Sequence, residues 1–412
     1  MSPPNLRLDD YMPVVGVAAI QEIRALARRL EGRRVLMVNS TAVGGGVAEL
    51  LNRLIPLLED LGIPTRWEVI RGAEEFFAIT KAIHNALHGA RVEVAKSMLH
   101  LFREVNAENA RTLDLASDLV VIHDPQPVAL IAARRNGEGH WVWRCHVDVS
   151  RPQPDVWSFL RQYVVQYDAS VFSAPEFAQV LPITQYMIHP AIDPLAEKNR
   201  PMEPGEIEAV LTRLGIRDDR PIVTQVSRFD RLKDPVGVLQ AYRLARRTAD
   251  CQLVLAGGGA TDDPEGAAVL EEVRKAADGD PFIHILDLPP FSDQEINALQ
   301  RASAVVIQKS LREGFGLTVT EALWKKRPVI ASAVGGIPLQ VVHNLTGLLV
   351  HSVEGTAHRI RSLLRDPAFA RRLGENGHEF VKTRFLTTSN LQAWLALAIS
   401  LMHPGERIIR LT

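Results

Sequence analysis

Apolar residues along this chain recur in two rhythms. Short apolar blocks with polar or glycine-containing ends alternate with longer stretches in which apolar positions return every three or four residues. The first block, 33-RRVLMVNS-40, reads as a buried strand. It runs through 44-GGG-46 into a stripe at Val47, Leu50, Leu51, Leu54, Leu58 and Leu61, closed by Gly62 and Pro64. That spacing predicts a helix with a defined stop. Strand, glycine-rich turn and helix together open a doubly wound α/β domain.

The alternation continues with a strand over 67–70, a helix over 74–88 and strands over 118–127 and 140–150. A helix over 154–167, a strand over 169–174 and the segment 187–194 follow. Between 190 and 208 four prolines and no apolar period predict a linker. A second series then begins, with strands over 221–227, 251–259, 281–288, 303–310, 327–332 and 346–350 between helical runs. The stretches 358–385 and 389–402 read as helical throughout. The expected class is therefore α/β, with two doubly wound, Rossmann-like domains. Ligands of open α/β sheets bind beyond the carboxyl ends of the strands, so the site is expected in a cleft between the domains.

Composition narrows the chemistry. The chain has 412 residues, 46% hydrophobic and 23% charged, enough for two real cores. A formal net charge of −1 provides no global field for nucleic acid or an anionic membrane, so any anion site must be local. Cys145 and Cys251 are far apart and lack metal-type spacing, which excludes a disulfide framework and a zinc site built on cysteine pairs. Both lie in apolar runs and read as buried small hydrophobes. With no signal-like start and no 18-residue apolar run, the expected location is cytoplasmic.

Two loops carry the candidate chemistry. In 312-REGFGLTVTEAL-323 a loop at a strand's carboxyl end becomes a helix. Amides at Phe315, Gly316, Leu317 and Thr318 lie near the helix start, where a phosphate would satisfy them and be favoured by the macrodipole. Glycines at 314 and 316 allow a ligand close to the backbone. Glu313 precedes the helix and Glu321 lies inside it, so the two carboxylates are suited to opposite ends of an extended ligand. In 226-VSRFDRLKDP-235, Arg228 and Lys233 share a loop before a helix capped by Asp234 with Pro235 at its first position. Two cations on one loop suit a diphosphate.

Together, SRF-x-x-xKDP and REGFGLTVTEA, with its E-x7-E spacing, resemble the retaining nucleotide-sugar glycosyltransferases of the GT-B fold. The pieces 38-VNSTAVGGGVAELL-51, 122-IHDPQP-127 and 143-WRCHVDVSRPQPDVW-157 are similar to the trehalose synthase group and to its relatives, the retaining trehalose phosphorylases. The likeness spans about residues 33–390.

The resemblance implies an N-terminal acceptor-binding domain over 1–195 and a nucleotide-sugar-binding domain over 196–389, with a last helix near 390–412 packing back on the first. It implies that Arg228 and Lys233 neutralise the diphosphate, that Glu321 holds the ribose and that Glu313 holds the transferred sugar. The amides from Phe315 to Thr318 complete the phosphate cradle. Gly45 and Gly46 approach the donor, and His146 sits over the reacting centre. His123, Asp124, Gln126 and Arg144 belong to the acceptor side.

A histidine at a strand's end is most often a satisfied structural residue, but Arg144 and Asp148, beside His146 on a loop facing the expected cleft, favour a functional role. Asp148 with His146 also raises a metal site. Because Arg and Lys can replace a cation electrostatically, no metal or cofactor is expected to be required, with magnesium at most stimulatory. The activity implied is reversible transfer of glucose from a nucleoside diphosphate glucose to free glucose, giving trehalose with retention. The alternatives are a trehalose phosphorylase or another sugar-nucleotide-dependent hexosyltransferase of the same fold. Partners are then small molecules only, with a homodimer as the candidate assembly. A nicotinamide-dependent oxidoreductase is disfavoured, because both 44-GGGVAE-49 and 257-GGGATD-262 lack the third glycine of G-x-G-x-x-G. A non-catalytic sugar-nucleotide sensor is disfavoured by the intact Arg228, Lys233 and Glu313.

Overall fold

A computed structural model describes residues 6–42, 45–135, 139–217, 219–258 and 264–405. Gly44 and Gly259, from the two glycine triplets, lie outside them. The chain divides into two compact units, Met1–Pro190 with Thr387–Thr412, and Ala191–Leu386.

In the first unit, β1 (Val35–Asn39), β2 (Thr65–Val69), β3 (Leu119–His123), β4 (His140–Arg144), β5 (Ala169–Phe172) and β6 (Thr184–Met187) form one parallel sheet in the order β2-β1-β3-β4-β5-β6. β1, β3, β4 and β5 are almost wholly buried, as unbroken apolar runs covered on both faces should be. The helix Thr387–Met402 belongs to this unit and packs on the helices Val17–Arg28 and Gly45–Asp60.

In the second unit, β7 (Ile222–Val226), β8 (Gln252–Gly257), β9 (Ile283–Asp287), β10 (Val305–Gln308), β11 (Val329–Ser332) and β12 (Leu348–Val350) take the order β12-β11-β10-β7-β8-β9. All pairs are parallel, with Val306 of β10 facing Thr224 of β7 and Val329 of β11. Successive strands run outward in one direction from β7, then restart on its other side with β10. The crevice where strand order reverses is the ligand position of such sheets. It lies at the ends of β7 and β10 here, and at the ends of β1 and β3 in the first unit.

Several expected boundaries shift. The strand expected over 118–127 ends at His123, and the chain passes through Asp124, at φ +67°, towards a 3-10 helix over Val128–Ala133. The strand expected over 140–150 ends at Arg144, because the His146 amide leaves the ladder to donate to Asp124 Oδ1 at 2.7 Å. The helix Lys96–Thr112 was not legible. Its buried face includes Asn106 and Asn109, and the Asn109 side chain exchanges hydrogen bonds with both backbone groups of Arg71. Polar residues on the inward face erase the apolar period that betrays a helix.

The expected linker is also different. The helix Pro204–Arg213 starts within it, and residues ahead of that helix are packed rather than loose. Asn199 is buried, its side chain donating to Asp193 O and accepting from Lys325 Nζ. Both cysteines are buried free thiols. Among the described residues no helix is long and apolar enough to cross a membrane.

Candidate active site

The site of the second unit is built from two loops, one after β7 and one after β10. Val226 ends β7, and the chain turns through Arg228 into a short 3-10 helix over Arg231–Lys233. Asp234 adopts the left-handed conformation (φ +48°) and caps the helix Pro235–Arg246 by accepting from Gly237 N at 3.1 Å. The second loop leaves β10 at Gln308 and ends at Gly316, whose φ of +84° caps the helix Leu317–Trp324. Leu311 N donates to Leu232 O at 2.7 Å, which ties the loops together.

Side chains reinforce that junction. Lys233 Nζ donates to both oxygens of Glu313, at 2.8 and 2.7 Å, and Lys309 Nζ bonds Asp234. Glu313 is buried and also accepts from Ser310 Oγ at 2.9 Å and Gln308 Nε2 at 3.2 Å. Arg228 is half exposed, with Nη2 3.5 Å from Asp230 Oδ2. Thr318 Oγ1 bonds Gln308 Oε1 at 3.2 Å, and the Phe315 ring packs against Phe385. These contacts fix the first turn of the helix, whose leading amides point towards the β7–β10 crevice.

Glycines set the approach distances. A Cβ on Gly335 (φ +53°) would lie 1.7 Å from Glu313 O, so only glycine lets the loop after β11 support the Glu313 loop. On Gly257 a Cβ would lie 1.8 Å from Ser227 O. The 257 turn is thereby accounted for by backbone packing on the β7 loop. Glu321 is buried one turn into the helix, with Oε1 3.6 Å from Lys198 Nζ, which is itself 3.9 Å from Asp293 Oδ1.

The first unit carries a second cluster, beyond β3 and β4. His123 is fully buried, with Nδ1 3.0 Å from His146 Nε2 and Nε2 3.4 Å from Met37 Sδ. Burial and the Arg144 charge lower the His123 pKa from 6.5 to about 3. Burial, then Arg144 and His123, hold His146 well below its usual value. Asp124 is raised to about 6 by desolvation, against the opposing pull of the His146 amide and Arg144. Arg144 closes β4 and is buried, donating through Nη2 to Ser173 Oγ at 3.0 Å. Trp394 of the last helix lies beside His123, with ring centres 6.4 Å apart.

Comparison with known proteins gives the family. Residues 37–179 match the family described as "Trehalose synthase, N-terminal domain", and residues 207–380 match "Glycosyl transferases group 1". A trehalose synthase of Thermococcus litoralis is 43% identical over 398 residues, covering 95% of this chain and 96% of that protein. The chain belongs to the trehalose synthase family of glycosyltransferases. A trehalose phosphorylase of Pleurotus pulmonarius is 28% identical and aligns with 97% of this chain but 62% of its own length. The solved sucrose-phosphate synthase from Thermosynechococcus elongatus superposes with a TM-score of 0.71 at 21% identity, covering 90% of this chain and all of that one. The two doubly wound units are thus the GT-B fold.

Within that family frame, the residues read from sequence fall into two groups. Lys233, Glu313 and the amides of Phe315 to Thr318 come together on adjoining loops, with Arg228 on the same loop as Lys233. His123, Asp124, Arg144 and His146 interlock in the first unit. Arg144, expected on a loop, ends a strand, and it and His123 lie beneath the surface rather than on it. Gln126 is partly buried on the segment after β3, and its Oε1 has no hydrogen-bond partner among the described residues. Gly45 opens the helix Gly45–Asp60 and Gly46 is exposed in its first turn.

Sequence reasoning missed Lys309, Lys198 and Gly335. Lys309 stands three residues ahead of REGFGLTVTEA, and its partner Asp234 is 75 residues away, so nothing local in the sequence signals the pair. Lys198 sat in a segment read as linker.

Proposed function

We propose that this protein transfers a glucosyl group from a nucleoside diphosphate glucose to free glucose, forming trehalose with retention at the anomeric carbon. The supporting observation is the junction of the β7 and β10 loops, where Lys233, Glu313 and a helix N-terminus meet at the reversal of strand order. A diphosphate suits Lys233, Arg228 and the amides from Gly316 to Thr318, because two cations and a helix start complement its charge. Glu313 is assigned to the hydroxyls of the transferred sugar and Glu321 to the ribose. In the first unit, His146 is assigned to a substrate hydroxyl, and Asp124, whose carboxylate holds the His146 amide, to the acceptor side.

In this reading the bond from the anomeric carbon to the phosphate oxygen breaks as the acceptor hydroxyl forms the new glycosidic bond on the same face. The acceptor's proton passes to the departing phosphate oxygen, leaving trehalose and a nucleoside diphosphate. Arg228, Lys233 and the helix amides stabilise the negative charge developing on the leaving group, the term that usually dominates such catalysis. Among the described residues no group of three His, Cys, Asp or Glu side chains is placed to hold a metal ion.

The test is incubation of purified protein with glucose and, separately, ADP-, UDP- and GDP-glucose and glucose 1-phosphate, identifying disaccharide, nucleotide and inorganic phosphate. Trehalose formed with release of nucleoside diphosphate is expected. Activity only with glucose 1-phosphate, releasing inorganic phosphate, would replace the reading with a phosphorylase.

A further inference from the structure

Behind His146 the first unit contains a chain of contacts to which the proposed reaction gives no role: the ring of His123 and, beyond it, Met37 Sδ. Met37 is buried on β1, His123 ends β3, and His146 follows β4. The three therefore come from neighbouring strands at the β1–β3 crevice.

Each atom in the chain has a restricted role. A thioether sulfur has no proton and can only accept, so the nitrogen facing it is best satisfied as a donor. That nitrogen is His123 Nε2, 3.4 Å from Met37 Sδ. A neutral imidazole carries one proton, so His123 Nδ1 must then accept. Its partner, 3.0 Å away, is His146 Nε2, which must donate. The ring planes lie within 17° of each other with centres 5.3 Å apart, as an in-plane N–H···N bond requires. The opposite arrangement would set two lone pairs against each other at Met37 and His123, inside a fully buried site. Burial keeps both rings neutral near pH 7, so neither escapes the choice by taking a second proton.

We infer that Met37 and His123 are positioning residues that fix the tautomer of His146, so that His146 Nδ1 meets a substrate hydroxyl as a hydrogen-bond acceptor. Among the described residues Nδ1 has no hydrogen-bond partner. A hydroxyl donating to it has both lone pairs left for other contacts, and its rotor is set before reaction begins. This rests on the assignment of His146 to a substrate hydroxyl made above.

The test separates the two. Full-length protein labelled with 15N-histidine is examined near pH 7 by long-range 1H–15N correlation, with His123→Gln and His146→Gln used to assign the rings. Both rings are expected to be protonated at Nε2 and bare at Nδ1; His146 protonated at Nδ1, or averaging between tautomers, overturns the inference. Met37→Leu keeps volume but removes the acceptor. It is expected to leave the melting temperature near wild type, mix the tautomers of both rings, and lower kcat about two- to tenfold with little change in donor KM. Unchanged tautomers in that variant overturn the relay. If the tautomers are as expected but His146→Ala keeps full kcat, the hydroxyl assignment falls and the tautomer chain stands. If His146→Ala is inactive but its wild-type ring is protonated at Nδ1, the relay falls and the assignment stands.

Discussion

Lys233 Nζ donates to both carboxylate oxygens of Glu313 although 80 residues separate the two in sequence. In the proposed reaction one would serve the diphosphate and the other the sugar, so the donor must take Lys233 partly away from Glu313. The pair is mostly buried, and removing one partner strands the other charge. Lys233→Met is expected to destabilise the second unit by about 3–5 kcal/mol. Glu313→Gln in the same chain should recover part of that loss, with a coupling of about 1–3 kcal/mol by a double-mutant cycle in denaturant. Additive losses would mean that the two act independently.

Arg228 differs because it is half exposed, and its ion pair with Asp230 is long, at 3.5 Å. It contributes little to folding. Arg228→Ala should leave the melting temperature within a degree or two while lowering kcat about 10²- to 10³-fold. Near-wild-type turnover would remove it from the leaving group.

Glu321 is buried next to Lys198, on the segment that looked like a linker. Charged hydrogen bonds lost from a bound ribose typically weaken binding about 10- to 100-fold. Glu321→Ala should therefore raise donor KM by that factor with a smaller fall in kcat, and Lys198→Met should raise donor KM several-fold less. Initial rates against donor concentration decide it; an equal fall in kcat and kcat/KM would contradict the ribose role.

Gly335 is an indirect test of the Glu313 loop. Its Cβ would lie 1.7 Å from Glu313 O at φ +53°, whereas Gly279, at φ +67°, has nothing within 4 Å. Gly335→Ala combines strain with a backbone clash and should cost about 1–3 kcal/mol and more than about tenfold in kcat/KM. Gly279→Ala carries only the strain and should keep full activity. Equal activity losses in the two would show that the Glu313 loop does not depend on this support.

What was legible follows from how far each signal reaches along the chain. REGFGLTVTEA and SRFDRLKDP were readable because glycine hinge, helix start and charged residues are local and contiguous. The partners were not, because Lys233–Glu313 and Lys309–Asp234 are made by the sheet order, which reverses between β7 and β10, and Lys198–Glu321 by a segment packed ahead of the helix Pro204–Arg213. Prolines at 190–208 looked like a linker because proline ends periodicity whether a segment is loose or packed. The buried asparagines of Lys96–Thr112 hid a helix for the complementary reason: beside Phe102 its inward face carries Asn106 and Asn109, polar side chains where the apolar period needs apolar ones.

The histidine cluster should be visible in the pH dependence of stability. The folded state lowers the His123 pKa from 6.5 to about 3, so it refuses a proton that the unfolded chain accepts. Its stability is therefore intact above pH 6.5 and lost as pH falls towards 3, with about 2 kcal/mol gone between pH 7 and pH 5. Asp124 acts with the opposite sign over the same window. Its pKa is raised to about 6, so the folded state takes a proton first and gains stability on acidification. His146, also held well below its usual value, loses stability with the same sign as His123, so wild-type protein should be destabilised on acidification with Asp124 offsetting only part of the loss. His123→Gln removes one contribution and keeps those of His146 and Asp124. Moving from pH 7 to pH 5 should then shift its stability relative to wild type by about 2 kcal/mol in the variant's favour, read from urea midpoints of tryptophan fluorescence. Parallel profiles for the two proteins would show that His123 is free to protonate in the folded state, and the buried neutral ring that the tautomer chain requires would not exist.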